Sequence, residues 1–65
     1  MNIKEEFYLI ALEQIYNGVP LDVIQDMLND LEEEEQYLKC AGIQKAINFA
    51  NSNTMKSIEK ELEIW

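Results

Sequence analysis

Thirteen carboxylates, one thiol and no imidazole are the groups with which this 65-residue chain could do chemistry. Two carboxylates can act as general acid and base when a cleft holds them in different environments, so that one keeps its proton. Here they come in runs instead: Asp22, Asp26 and Asp30, then Glu32, Glu33, Glu34 and Glu35. Asp22, Asp26, Asp30 and Glu33 would line one side of a helix, which reads as a solvated acidic face. A calcium loop would need a ligand at every second position and a turn glycine. A ferritin-like di-iron centre would need Glu-x-x-His, and there is no His to supply it. Cys40 sits in a segment rich in glutamates, a poor setting for a thiolate nucleophile, and reads as a small packing residue at a hairpin contact. Ser52 and Ser57 have no ordinary general base to activate them. Gly18 and Gly42 stand alone, so no glycine-rich loop cradles a phosphate. The expectation is a protein that is not an enzyme, with no cofactor and no metal.

The distribution of charge says more. From Glu5 to Leu38 there are ten acidic residues and no Lys or Arg, within a net charge of −8. Such a segment cannot neutralise itself, so it presents a field of one sign over much of a small protein. That field opposes direct nucleic-acid binding and anionic membrane surfaces, and favours a protein partner with a basic surface. Lys56 and Lys60 are helix neighbours, but Glu59, Glu61 and Glu63 surround them. No apolar run reaches the 18 or so residues that span a bilayer, and the first residues do not read as a secretory signal. One cysteine fits a reducing, cytoplasmic setting. All the basic residues are Lys, with Asn, Ile and Glu plentiful, a usage that fits AT-rich bacterial and phage genomes.

Helical periodicity runs through nearly the whole chain, and its stops place the elements. Asn2 followed by Glu5 reads as a capping box. Ile3, Phe7, Tyr8, Leu9, Ile10, Ala11, Leu12, Ile15 and Tyr16 then cover well over half of a helical wheel, leaving Glu6, Glu13 and Asn17 as the solvent strip. A helix so apolar is buried on several sides, which in a chain this short suggests a second copy. Asn17-Gly18-Val19-Pro20 is a stop and restart. Leu21, Ile24, Met27, Leu28 and Leu31 form the next stripe. Ile43, Ala46, Ile47 and Ala50 form another, out of phase with it. A single helix through both would carry Glu35 on its seam, so a break near 34–36 and a helical hairpin are preferred to one long helix. Asn51-Ser52-Asn53-Thr54 is a polar connector rich in helix-capping residues, followed by a last stripe at Met55, Ile58, Leu62 and Trp65. The fold class is all-α: one domain of three or four helices, at about 2–17, 20–34, 37–51 and 54–64, built on a central antiparallel hairpin.

The segment Glu35-Gln36-Tyr37-Leu38-Lys39-Cys40-Ala41-Gly42-Ile43-Gln44-Lys45-Ala46-Ile47 resembles the second half of the UVR motif. That motif is the small helical hairpin of the nucleotide-excision-repair proteins UvrB and UvrC and of some stress-response adaptors. Tyr37, Cys40, Ala41, Ile43 and Ile47 fall on the family's packing positions, over a match of roughly residues 24–49. Gln44-Lys45 replaces the family's Arg-Asp pair, Glu32 stands where a small residue is usual, and Leu38 replaces a common Glu. The resemblance implies a hairpin that docks on another copy or a related hairpin.

These observations point to a non-catalytic adaptor or regulator, self-associating as a dimer, of the kind phages and mobile elements encode. Its acidic face would be Asp22, Asp26, Asp30 and Glu32 to Glu35. Its apolar association surface would be Phe7, Tyr8, Leu12, Ile15, Tyr16 and Trp65. Two other readings stay open. One is an inhibitor that imitates nucleic acid in the basic groove of a nuclease or defence enzyme. The other is a structural subunit of a virion or larger assembly.

Overall fold

Asn2 opens the first helix, accepting the Glu5 backbone N–H on its side-chain oxygen at 2.8 Å. The computed structural model describes residues 2–65 and contains four helices: α1 (Ile3–Tyr16), α2 (Leu21–Glu33), α3 (Tyr37–Ser52) and α4 (Met55–Ile64). No strand is present among the described residues. The all-α expectation holds, and the helix bounds fall within a residue or two of those read from the stops. Pro20 is the N-cap of α2 and not its first helical residue. Thr54 caps α4 by accepting the Ser57 N–H.

Two turns close with the same pair of bonds. At the end of α1, the Gly18 N–H donates to Ile15 and the Val19 N–H to Gln14, at 3.1 and 3.0 Å. At the end of α2, the Glu35 N–H donates to Glu32 and the Gln36 N–H to Leu31, at 3.0 and 2.9 Å. This closure requires one residue in the left-handed region, and glycine takes it without a Cβ penalty. Gly18 supplies it in the first turn at φ 95°. In the second turn Glu35 does so at φ 61°, as a side-chain-bearing residue. The break at 34–36 is therefore real, and it makes α2 and α3 an antiparallel hairpin. The pair is tied near the turn by the Cys40 Sγ, which lies 3.6 Å from the Leu28 carbonyl oxygen.

The core consists of Tyr8, Ala11, Leu12 and Ile15 from α1, Ile24 and Leu28 from α2, Ile43, Ala46 and Ile47 from α3, and Ile58 from α4. Its most extensive interface joins α1 to α3, and α4 lies mainly on α1. The hairpin exists, but the centre of the fold is the α1–α3 contact and not the α2–α3 pair. The reason is Gly42. A Cβ built there would overlap the Lys4 carbonyl oxygen and come within 3.0 Å of the Tyr8 backbone nitrogen. The two helix backbones meet where no side chain fits, with Ala46 and Ala11 buried in the same core. The radius of gyration, 11.1 Å, is what a compact chain of this length has, about 11 Å. The chain thus covers α1 with its own α3 and α4.

Two substitutions test this account by thermal or denaturant unfolding. Gly42→Ala should lower stability by about 1–3 kcal/mol through overpacking, although alanine is the better helix former by about 1 kcal/mol. Glu35→Gly should raise it by about 1 kcal/mol, by removing the left-handed penalty of a residue with a Cβ.

Candidate functional site

The amphipathic pattern of α2 sends Ile24 and Leu28 into the core and leaves its acids outside. Asp22, Asp26, Asp30, Glu32 and Glu33 are all exposed, and Glu34 and Glu35 continue the exposed row through the turn. Asp22, Asp26 and Asp30 repeat every fourth residue, about 6 Å apart along the helix axis. All seven carboxylates of the expected acidic face are therefore at the surface. Among the described residues, no three His, Cys, Asp or Glu side chains gather as metal ligands. No helix of the described chain is long and apolar enough to cross a membrane.

Beside the acidic turn lies an apolar patch. Tyr37 and Leu38, in the first turn of α3, are 64% and 65% exposed. They share a shallow cleft with Ile3, Glu35, Gln36 and Lys39. Tyr37 also borders a second cleft between α2 and α3, where it meets Leu28, Glu32 and Cys40. One aromatic ring thus stands between two clefts, with carboxylates at the edge of both.

The apolar association surface expected on α1 divides into two groups. Tyr8, Leu12 and Ile15 are buried within the chain and are core, not surface. That assignment is corrected here, because α3 and α4 cover the side of α1 that was expected to need a second copy. Phe7 is half-buried, with the Lys39 ammonium 5.3 Å from its ring centre. Tyr16 and Trp65 stay exposed, at 38% and 48%, and line a groove between α1 and α4.

Tyr8 is the node of a polar and aromatic cluster. Its ring packs edge-on against Phe49 and Trp65, each at 6.4 Å between centres. The Lys45 ammonium lies 4.6 Å from its ring centre. Burial, followed by the nearby Glu61 carboxylate, pushes the Tyr8 hydroxyl up to about 12. Glu61 also accepts the Trp65 indole N–H at 3.0 Å, so a single carboxylate sits at the junction of α4 and α1. Tyr16 is shifted upward too, chiefly by the negative charge of Glu59, with burial and Glu63 adding to it.

No family model, curated protein or solved structure matches this chain. The UVR resemblance therefore rests on its own residues, of which Ile43 and Ile47 are buried, Cys40 and Ala41 half-buried, and Tyr37 exposed.

Ile3, Tyr37 and Leu38 were not expected at the surface patch. The phase of α3 carries the signal for two of them. Tyr37 and Leu38 lie about 130° from the centre of the stripe of Ile43, Ala46, Ile47 and Ala50, at 100° per residue.

The raised Tyr8 hydroxyl has a consequence for pH. A folded value above the unfolded 10 means that folding favours the neutral phenol, so this contribution is complete below pH 10. It is lost as pH rises from 10 towards 12. Alkaline unfolding curves of wild type should therefore fall more steeply over that window than those of Tyr8→Phe. Parallel curves would show that Tyr8 does not titrate there.

Proposed function

We propose that this chain is a non-catalytic interaction module that docks a basic protein partner at the α2–α3 end. The observation that carries the reading is the placement of exposed Tyr37 and Leu38 directly beside the Glu32–Glu35 turn. An aromatic and an aliphatic side chain, both largely in water, offer an apolar anchor of the kind that dominates binding energy. The carboxylates around them attract a basic surface over long range and orient it on arrival.

Charge also selects between occupants of this patch. A second copy would bring its own acidic turn and a net charge of −8, so self-association at this end works against repulsion. A Lys- or Arg-rich helix with one apolar face meets the patch with both kinds of complementarity. Such a surface, an apolar anchor bordered by steering carboxylates, supports an adaptor or regulator role. Self-association of the whole molecule would have to use another face, since Tyr8, Leu12 and Ile15 are already core.

The test uses a synthetic amphipathic Lys–Leu helix as probe, with affinity measured by calorimetry at low and physiological salt. Binding should weaken as salt rises. Glu33→Lys with Glu34→Lys should lower affinity about tenfold, and Tyr37→Ser with Leu38→Ser should lower it by a similar factor. Loss with the charge pair alone, and no effect of the apolar pair, would favour imitation of nucleic acid. No effect of either pair would overturn the reading.

A further inference from the structure

The groove between α1 and α4 has a composition unlike the rest of the surface. Leu9 and Leu62 contribute its apolar lining, Tyr16 and Trp65 are its aromatic members, and Glu13 and Asn17 are its polar ones. Its volume of about 440 Å³ lies within the range of small-ligand sites, about 300–1,000 Å³. The negative charge of Glu59, and less so that of Glu63, acts on the Tyr16 hydroxyl. None of the six lining residues is basic, so two aromatic rings and the Glu13 carboxylate face one space with no cation of the groove's own.

The same helix shows what such rings do in this protein when a cation is within reach. Lys39 and Lys45, both on α3, place their ammonium groups over Phe7 and Tyr8 of α1, at 5.3 and 4.6 Å. Toward the C-terminal end of α1, Tyr16 has a comparable ring and a more acidic setting. We infer that the α1–α4 groove is a binding site for the guanidinium of an arginine side chain carried by a basic partner. The face of a Tyr or Trp ring attracts a cation within about 6 Å. A guanidinium is planar and weakly hydrated, so it stacks on such a ring at less desolvation cost than an ammonium, while Glu13 offers it an acceptor. The indole N–H is already held by Glu61, which fixes the ring's orientation before a ligand arrives.

The inference rests on the reading that the partner is basic, but it concerns different residues from the α2–α3 end, so either can fail without the other. The experiment is a titration of the whole labelled protein with blocked arginine, N-acetyl-arginine amide, followed by NMR at low salt. Blocked citrulline serves as its neutral isostere. Trp65 is the only tryptophan, so its indole N–H is a single resolved reporter. Arginine should move that signal and the Asn17 amide saturably, with a dissociation constant on the order of millimolar, and citrulline should not. Tyr16→Leu should weaken binding about fivefold. Glu13→Gln, at an exposed position that leaves packing intact, should weaken it as well. Equal shifts with citrulline would overturn the inference. So would non-saturating shifts spread along Asp22 to Glu35, which would mark diffuse attraction to the acidic face.

Discussion

At Gly42 the backbones of α1 and α3 come so close that not even a methyl group fits between them, and the rest of the structure follows from that approach. The group it meets is the Lys4 carbonyl with the Tyr8 nitrogen, one turn of α1's own hydrogen-bond ladder. The hydrogen that replaces a Cβ at Gly42 points at that carbonyl, a geometry in which weak Cα–H···O contacts form. Once α3 is seated there, Ala46 and Ile47 complete the contact, and Ile24 and Leu28 of α2 and Ile58 of α4 fill in around it. The mid-helix glycine sacrifices about 1 kcal/mol of helix propensity to an interface that no other residue permits.

The same arrangement sorts the charges. The five lysines lie at position 4 and on α3 and α4. Lys39 and Lys45 sit over the rings of Phe7 and Tyr8, drawn towards α1 by the helix pairing itself. None is left for α2, whose carboxylates face water together with those of the following turn. An acidic helix whose buried side chains are Ile24 and Leu28 is thus displayed by its neighbours and not balanced by them. Tyr37 and Leu38 stay exposed in the first turn of α3, ahead of the point where Gly42 and Ile43 meet the core.

Much of this was legible in the residues. The stop at Asn17-Gly18, the cap at Asn2 and the connector ending in Thr54 each have a local physical cause, so these helix ends could be placed from pattern alone, while the phase change across Glu35 favoured a break without fixing it. The exposed acids of α2 were legible because Ile24 and Leu28 define the opposite face. What could not be read was which surfaces meet. Gly42 has its partner at Lys4, far away in sequence, and a lone mid-helix glycine carries no mark of what it touches. The apolar girth of α1 correctly implied burial on several sides, but periodicity does not say whose chain does the burying. Tyr8, Leu12 and Ile15 were therefore assigned to a surface when they are core. Tyr16 and Trp65 were placed on one surface, but that they line a groove between α1 and α4 could not be read, since most of the chain separates them.

The most direct test of the central contact is a nuclear Overhauser measurement on a mixture of labelled and unlabelled protein, which separates contacts within one chain from contacts between chains. The account predicts an intrachain cross-peak between the Gly42 Hα and the Tyr8 amide proton, together with one between the Tyr8 and Phe49 rings. Absence of both, with unbroken helical contacts running from Glu33 to Lys39, would contradict it. The hairpin would then be one long helix, and the partner of α1 would have to be another molecule.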